Sequence, residues 1–494
     1  MKKFVFIIFS LVLGLTACKD SFFDVNQPSN ALLEEEVSVK DMLPYVEVKL
    51  AIMHFSLSYY TGRYSQQIMD ARYRTVDQHG RVSLGGAWAN LYLRILYNLR
   101  IIEKKAQEEQ LKHYLGIAQV LEAMAIQLAT DHWGNIPYSE AGYGLEIPYP
   151  GLDTQEAIYP QLLNLLDDAI DNLSASGQID SPGHRDDIIY KGNLDKWIKA
   201  AHALKARIHL HLSKRNGIQE AQNVLDELQN AFTSLNDDME VQFDPRYRNP
   251  WYTNVVAARR TSNSSIMFSE QLIGCMNGRI LPLDVSFVGN DTLPIDIDPR
   301  LPFYAETTDV SSDYKGGING TSGDAVGGGS ANAILADNSY FKEDAPIFML
   351  TYMETEFMKA EAYYMLGDKG NAYDAYMNGI RASLEKLQIA PYYKDLYLNA
   401  RTVGLQGNAN QLDISNIMIQ KYIALVLHPE IWTDLRRYDY DATVYPDLDF
   451  PQDRVSDIPA GEWPRRAVYP GSEVNRNPNI DQVTEYWSRL WWDQ

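Results

Sequence analysis

Cysteine is nearly absent from this chain of 494 residues, which contains only Cys18 and Cys275. Two cysteines cannot build the dense disulfide framework of a small secreted domain. Basic residues are also scarce, because 44 lysines and arginines face 65 aspartates and glutamates and the formal net charge is −21. A polyanion would be repelled by such a chain, and no dense run of lysine or arginine offsets the repulsion. The composition therefore argues against nucleic-acid binding.

Long apolar runs are missing apart from Phe4–Leu15, which follows two lysines. Twelve residues are too few to cross a bilayer as a helix but suit the apolar region of a signal peptide. The next residues, Leu15-Thr16-Ala17-Cys18, are typical of a lipobox, in which the cysteine thiol receives a lipid after cleavage. We predict a lipoprotein signal peptide over residues 1–17, lipidation of Cys18 and a polar tether over residues 18–30.

Catalytic and cofactor motifs are missing as well. Half of the residues in Gly316–Gly329 are glycine, but the segment lacks the Gly-Lys-Ser/Thr of a phosphate-binding loop, and we expect a surface loop there. The nine histidines are scattered and form no His-Glu-x-x-His motif. The sequence thus predicts no metal site and no cofactor, and Cys275, with no motif around it, is expected to be a buried small apolar residue.

A glycosidase would use a pair of carboxylates, and two glutamates are the candidates for such a pair. Glu354 and Glu361 share a helix face, but seven residues correspond to a rise of about 10.5 Å. Paired catalytic carboxylates lie about 5–5.5 Å apart in retaining enzymes and roughly 6.5–9.5 Å apart in inverting ones. We expect both glutamates to face neighbouring helices and to pair with arginine or backbone groups, and we predict no catalytic residue.

What the sequence does contain is helical periodicity. Apolar residues recur every three or four positions over Leu111–Leu128 and Leu194–Leu212, which predicts helices with one buried stripe each. Thr154 is a candidate cap for a further helix. Glycine turns at Asn216-Gly217 and Gly367-Asp368 join helices in pairs, a pattern similar to tetratricopeptide (TPR) repeats.

The helical pattern is interrupted in the middle of the chain. We predict one domain over residues 31–494, with a helical scaffold over about 31–242 and 345–440. The segment of about 243–344 is irregular and punctuated by proline, and the last part, about 441–494, is irregular too. Long loops carried by a rigid scaffold are often functional, so the irregular middle is predicted to face a ligand.

Aromatic and polar residues cluster in and near these irregular segments. Flat rings stack on sugar rings or peptide side chains, while arginine donates hydrogen bonds to hydroxyl and amide groups. Tyr59 and Tyr60 belong to one such cluster. The residues that we predict to contact ligand are Tyr64, Arg72, Tyr73, Trp88, Trp251 and Tyr252.

Several ordered blocks give the chain its resemblance to a known family. They are the lipobox, Asp131–Ala141 (DHWGNIPYSEA), Trp197–Arg207 (WIKAAHALKAR), Asp298–Leu301 (DPRL), Thr351–Ala362 (TYMETEFMKAEA), Gln420–Leu425 (QKYIAL) and Glu430–Arg437 (EIWTDLRR). On these blocks the chain resembles the SusD/RagB family of Bacteroidota outer-membrane lipoproteins, most closely its divergent SusD-like branch. His202 stands where the family usually has asparagine.

The resemblance implies an all-α fold of TPR-like helical hairpins with a loop-rich, ligand-facing lobe. It implies a non-catalytic lipoprotein of the cell surface that acts as a lid on a SusC-like TonB-dependent transporter of the outer membrane. Lys19-Asp20, after the lipobox, looks like the surface-export signals of such lipoproteins. The ligand that the resemblance implies is an oligosaccharide or an oligopeptide.

Three hypotheses about the function therefore remain at the level of the sequence. The first is a lid that captures oligosaccharides, with oligopeptides as the alternative ligand. The second is a surface glycosidase or peptidase, which the missing motifs disfavour. The third is a two-lobed α/β solute-binding lipoprotein, which the paired helices disfavour.

Overall fold

The computed structural model describes residues 37–177, 180–283, 285–288, 291–308, 313–321, 331–338 and 340–494. The predicted signal peptide, the lipidation of Cys18 and the tether lie outside the described residues. Within them, no helix combines the length and the apolar character needed to span a membrane.

Within the described residues, ten helices make up most of the scaffold, and a further short helix, Pro391–Leu398, belongs to it as well. The ten are α1 (Val39–Tyr64), α2 (Tyr97–Glu108), α3 (Lys112–Trp133), α4 (Gln155–Leu173), α5 (Leu194–His211), α6 (Ser213–Leu228), α7 (Tyr352–Met365), α8 (Lys369–Lys386), α9 (Ile414–Ala424) and α10 (Glu430–Arg437). A short helix, Gly85–Asn90, and a π-helical segment, Leu91–Leu96, lead without a break into α2. Thr154 caps α4 as predicted, since its hydroxyl accepts a hydrogen bond from the backbone amide of Ala157.

Consecutive helices from α2 to α8 pack against one another, so the helices form a continuous stack. The predicted hairpins α5–α6 and α7–α8 are both present. Gly367, between α7 and α8, has φ +80°, a left-handed conformation that glycine adopts at little cost. Gly379 in α8 faces Phe357, and a Cβ there would lie 2.9 Å from the ring. The small residues thus allow the two helices to approach closely, and the TPR-like, mainly helical fold is confirmed.

Helix α3 departs from the sequence prediction. We expected one buried stripe, but every residue from His113 to Trp133 is buried. The reason is its position, because α1, α2, α4 and α5 all pack around it. A helix surrounded on all sides must bury its polar residues too, and these find partners inside the protein.

Strands are short and form four two-stranded antiparallel sheets within the described residues. The pairs are β1 (Ile68–Asp70) with β3 (Ile266–Phe268), β2 (Met239–Val241) with β8 (Ile347–Leu350), β4 (Val285–Val288) with β5 (Asp291–Pro294), and β6 (Ala305–Thr307) with β7 (Ala333–Leu335). The β1–β3 pair ties the irregular middle to the scaffold, and the β2–β8 pair joins the two scaffold segments on either side of the middle. In the β1–β3 pair, Asp70 lies opposite Ile266.

The glycine-rich segment corrects another expectation. We predicted a surface loop over 316–329, but most of residues 316–321 are buried. A Cβ on Gly317 would collide with the sulfur of Met69, so the backbone approaches β1 more closely than a side chain allows. Asn319 then donates hydrogen bonds to the carbonyl of Ile68 and to the carboxylate of Asp77. Residues 322–330 lie outside the described part.

Buried ion pairs connect the helices of the scaffold. Arg207 of α5 donates two hydrogen bonds of 2.8 Å to Glu354 of α7. Arg437 of α10 donates hydrogen bonds to both oxygens of Glu361, which lies two helical turns after Glu354 in α7. All four side chains are at most 1% exposed. The prediction that both glutamates pair with arginines of neighbouring helices is confirmed.

His211 extends this network. Its ring lies between Asp131 of α3, with Nδ1 3.2 Å from the carboxylate, and Glu430 of α10, which it contacts through Nε2. Burial opposes a charge on His211, but Glu430 and Asp131 outweigh it and raise the pKa of the imidazole to about 9. The same contact holds the pKa of Glu430 well below its ordinary value, despite its burial.

We predict that Glu354→Gln destabilises the protein by about 3–5 kcal/mol, because it leaves the buried guanidinium of Arg207 without its main counter-charge. Chemical denaturation measures this. The control is Asp457→Asn, which removes a surface partner of Arg81 and is expected to cost at most about 1 kcal/mol. Equal losses for the two variants would contradict the stabilising role of the buried pair.

We also predict a pH-dependent role for His211. A folded pKa of about 9, above the ordinary 6.5, stabilises the folded protein fully below pH 6.5, and this contribution disappears as the pH rises through 9. His211→Gln should therefore cost more stability at pH 6 than at pH 9.5, by an amount on the order of 3 kcal/mol. Denaturation at the two pH values tests this, and a cost that does not change with pH would refute the bridging imidazolium.

Candidate ligand-binding surface

The first part of the candidate site lies where α1 ends and β1 begins. Arg63, in the last turn of α1, forms an ion pair of 3.1 Å with Asp70 at the end of β1. Asp70 also accepts hydrogen bonds from the backbone amides of Arg72 and Tyr73, at 3.0 and 3.1 Å. These bonds fix the turn after β1. Arg72 and Tyr73 are consequently exposed side chains on an ordered turn.

Asp70 keeps its negative charge although it is buried. Burial raises its pKa, but the hydroxyl of Ser265, the amide of Tyr73 and the guanidinium of Arg63 together hold the pKa below the ordinary value. The carboxylate thus has its hydrogen bonds and its ion pair within the protein. It positions the surface around it and is not itself exposed to a ligand.

Tyrosines surround this ion pair. The guanidinium of Arg63 lies 4.9 Å from the ring centre of Tyr59 and 5.7 Å from that of Tyr60, which is a cation–π arrangement. Both rings are partly exposed, and Tyr73 is 71% exposed. Arg72 lies over the ring of Tyr73, with 5.8 Å between the guanidinium and the ring centre.

The second part of the site comes from the irregular middle. Asn249 accepts a hydrogen bond from the amide of Trp251 and so starts the helical segment that runs through Tyr252–Val256 and Ala257–Arg260. Trp251 packs on Tyr59, with 6.2 Å between ring centres, which joins this segment to α1. Tyr252 is partly exposed, and the guanidinium of Arg260 lies 5.8 Å from its ring centre.

Arg259 connects the two parts. Burial and the nearby guanidinium of Arg72 lower its pKa, and Asp70 and Glu306 offset this effect incompletely. Its Nη2 atom is buried and has no hydrogen-bond partner. We call the combined feature the tyrosine–arginine surface, which is formed by Tyr59, Tyr60, Tyr73, Tyr252, Arg72 and Arg259.

The chemistry of this surface suits binding. Ring faces stack on flat apolar surfaces such as those of sugar rings, and guanidinium groups donate several hydrogen bonds in fixed directions. Because Arg63 contacts the rings of Tyr59 and Tyr60, and Asp70 fixes the backbone of Tyr73, little backbone freedom is lost when a ligand binds.

The structure brings three of the predicted contact residues together on this surface, namely Arg72, Tyr73 and Tyr252. Tyr64 has no exposed area, donates a hydrogen bond to the carbonyl of Gly80 and packs on Trp432. Trp251 is 4% exposed and borders a void of about 40 Å³, which has room for a water molecule but not for a sugar ring. In this conformation both belong to the core beneath the surface.

Trp88 lies apart from the other predicted residues. It is 5% exposed and packs on Trp133, and it borders a separate cleft of about 460 Å³ with Tyr92 and Tyr97. Three prolines and a glutamate contribute to the same cleft. The ligand contact that we predict for Trp88 therefore belongs to a different place in the molecule from that of Tyr73.

Sequence reasoning missed Arg259. Its signal was the pair Arg259-Arg260 a few residues after Tyr252, in a chain where basic residues are scarce. Periodicity could not show that the pair would lie near Arg72, because the two segments meet through tertiary contacts such as the β1–β3 pairing. In contrast, Cys275 behaves as predicted, since it is buried and its burial raises the pKa of the thiol to about 12.

Comparison with known proteins identifies the class to which this TPR-like scaffold belongs. A family model described as SusD-like, "Starch-binding associating with outer membrane", matches residues 33–470. The chain therefore belongs to the SusD-like family, as the sequence blocks indicated. No protein with a curated function matches it.

Solved structures share the fold over almost the whole chain. A SusD homologue from Bacteroides uniformis matches with a TM-score of 0.73 and 18% identity, covering 92% of this chain and 99% of that one. A chitin-binding SusD homologue from Flavobacterium johnsoniae matches with a TM-score of 0.70 and 19% identity, covering 91% and 98%. A SusD/RagB family protein from Bacteroides thetaiotaomicron matches with a TM-score of 0.68 and 22% identity, covering 92% and 99%.

The different positions of Tyr73 and Tyr64 lead to opposite expectations. Tyr73→Ala should leave the melting temperature unchanged, because the ring is mostly exposed, and should weaken ligand binding. Tyr64→Phe should leave a buried carbonyl without its donor and cost about 1–3 kcal/mol. Thermal unfolding of both variants distinguishes the two roles, and a stability loss in Tyr73→Ala as large as that in Tyr64→Phe would contradict this assignment.

Proposed function

We propose that this protein captures oligosaccharides on its tyrosine–arginine surface and passes them to a SusC-like TonB-dependent transporter, on which it acts as a lid. Membership of a family described as starch-binding and associated with the outer membrane supports this proposal. The name of a chitin-binding homologue with the same fold points in the same direction.

The observation that carries the proposal is the exposure of tyrosine rings beside the exposed guanidinium of Arg72. Tyr73 is mostly exposed, and Tyr60 and Tyr252 are partly exposed. Exposed rings on a rigid support lose little entropy when they stack on a sugar. Guanidinium groups next to them add hydrogen bonds to hydroxyl groups, which gives the stacking a direction.

In this proposal, the segment before the scaffold anchors the protein and allows the lid to close. We propose that lipidated Cys18 holds the protein at the cell surface and that residues 18–30 act as a hinge. A ligand that contacts both the lid and the transporter would bind the closed state better than the open one, and it would therefore shift the population toward closure.

The function that we propose is binding without catalysis. Glu354 and Glu361, which were the best candidates for a glycosidase pair, are both buried and committed to arginines of the scaffold. A catalytic carboxylate must reach its substrate, and these two are at most 1% exposed. An oligopeptide is the alternative ligand, since the same rings and guanidinium groups also suit peptide side chains and carboxylates.

The partner is tested by native mass spectrometry of the protein purified from its own membranes in mild detergent, with fragmentation of any bound small molecule. A co-purifying large β-barrel is the expected result. A mass ladder of sugar units in the complex would support the oligosaccharide, and a trapped peptide would replace it by the alternative ligand. A monomer without partner or ligand would contradict the lid role.

Ligand binding itself is tested by calorimetry of the purified protein with a panel of oligosaccharides. Because an aromatic stacking contact is worth about 0.5–1.5 kcal/mol, Tyr73→Ala and Tyr252→Ala should each weaken the best ligand roughly threefold to tenfold. The matched control is Tyr392→Ala, an exposed tyrosine that the scaffold carries outside the tyrosine–arginine surface. Unchanged affinity in both site variants would exclude this surface as the sugar-binding site.

A further inference from the structure

The cleft beside Trp88 shares no residue with the tyrosine–arginine surface. It lies where the helical residues 85–108 meet the loop that follows α3, and its volume is about 460 Å³. Pockets of roughly 300–1,000 Å³ are typical of ligand-binding sites. Three aromatic side chains and three prolines form much of its walls, and they are Trp88, Tyr92, Tyr97, Pro137, Pro148 and Pro150. We call this feature the Trp88 cleft.

Hydrogen bonds hold the walls of the Trp88 cleft in place. Asp153 accepts bonds of 2.9 Å from the backbone amides of Tyr138 and Ser139, in the loop after α3. The hydroxyl of Tyr92 donates a bond of 2.8 Å to the carbonyl of Pro137, which joins the helical wall to the loop. The cleft is therefore formed before a ligand arrives, and binding requires little reorganisation.

A π-helical segment, Leu91–Leu96, lines the cleft with Tyr92 and Leu93. Such turns are rare in proteins and occur frequently at functional sites. The other π-helical segment of the described residues, Tyr252–Val256, carries Tyr252 of the tyrosine–arginine surface. The local backbone geometry thus supports a binding role for the Trp88 cleft, independently of its aromatic composition.

Charged and amide side chains are nearly missing from the walls. Glu473 is the only charged side chain among the described residues that line the cleft, and no asparagine or glutamine lines it. An oligosaccharide would bring many hydroxyl groups into such a cleft and leave several of them without partners, which costs free energy. The Trp88 cleft therefore suits rigid apolar rings better than a sugar chain.

Glu473 adds a preference for positive charge. Its carboxylate accepts a hydrogen bond of 3.4 Å from Asn477 and has no ion pair within the described part of the chain. A basic group in the cleft would form a charge-assisted hydrogen bond with this carboxylate. The formal net charge of −21 also favours the approach of a basic partner.

Exposed apolar side chains extend the cleft at its rim. Leu93 is 71% exposed, Leu145 is 96% exposed, and Tyr97 and Tyr143 are about two-fifths exposed. A Cβ on Gly144 would lie 3.8 Å from the ring of Tyr97, so the loop that carries Tyr143 and Leu145 adjoins the helical wall. Exposed apolar patches of this kind mark surfaces that bind other proteins.

We infer that the Trp88 cleft binds an extended, proline-containing segment of a partner protein, whose proline rings pack between the aromatic rings and whose basic side chain pairs with Glu473. Grooves lined by aromatic side chains recognise the polyproline II conformation. That conformation is extended and has no internal hydrogen bonds. Because it is already formed in the free segment, little entropy is lost on binding. This binding goes beyond oligosaccharide capture and does not depend on it.

Calorimetry of the full protein with four ligands tests the inference. They are a peptide of prolines with one central lysine, the same peptide with glutamate in place of lysine, a glycine–serine peptide of equal length with the lysine, and maltoheptaose. Both ends of each peptide are blocked, as in a segment within a longer chain. We expect the proline–lysine peptide to bind at least tenfold more tightly than either of the other two peptides.

Variants locate the peptide. Tyr97→Ala should weaken the proline–lysine peptide roughly threefold to tenfold, because it removes one aromatic wall. Glu473→Gln should reduce the preference for lysine over glutamate to less than threefold. The matched controls are Tyr393→Ala, whose ring is 55% exposed outside the cleft, and Glu462→Gln, which changes an exposed carboxylate outside it. Both controls should retain the affinity and the preference.

Several outcomes would overturn the inference. Equal affinity for the lysine and glutamate peptides, or for the proline and glycine–serine peptides, would do so, as would failure of all three to bind. Unchanged affinity in both Tyr97→Ala and Glu473→Gln would place the peptide elsewhere. Binding that requires free peptide ends would indicate a nutrient peptide and not a partner protein. Maltoheptaose binding that Tyr97→Ala weakens and Tyr393→Ala does not would assign the cleft to sugars.

Discussion

The buried ion pairs between helices are the constraint on which the rest of this structure depends. Removing one partner of a buried ion pair leaves an uncompensated charge in the core, which is strongly destabilising. Arg207 and Arg437 can therefore stay in the core only if α5 and α10 lie where Glu354 and Glu361 of α7 meet them. Apolar packing between helices permits sliding and repacking, but a two-pronged contact between guanidinium and carboxylate tolerates little displacement. The network thus fixes the relative positions of helices that are distant in sequence.

This rigidity extends to the candidate site. α1 packs against the helical stack, and its last turn carries Arg63, which determines the position of Asp70 and of the turn that follows β1. The residues that a ligand would meet, such as Tyr73 and Arg72, have few contacts of their own. Their order comes from the scaffold beneath them. A binding surface on a rigid support requires little reorganisation, which favours affinity.

The charges of the core and of the surface follow opposite rules. In the core, His211 lies between two carboxylates and is held in its charged form, and Arg207 and Arg437 each pair with a glutamate. On the candidate surface, burial and Arg72 lower the pKa of Arg259, and the charges of Asp70 and Glu306 offset this only in part. The buried pairs stabilise the fold, whereas the exposed guanidinium of Arg72 is available to the ligand in the function that we propose. This contrast is the reason for assigning structure to the first set and binding to the second.

Sequence by itself determined the helices, their pairing through glycine turns, and the family. These features depend on local periodicity, turn residues and ordered motifs, which can be recognised from residues close together in the sequence. Helix geometry disfavoured a catalytic role for Glu354 and Glu361, and their place on the scaffold helix agreed with the family resemblance. Only the tertiary structure decided that α3 is buried on all sides, that Gly317 lies against Met69, and that Tyr64 belongs to the core while Tyr73 does not. Burial and charge compensation arise between segments far apart in the chain, so no local pattern records that Arg259 lies near Arg72.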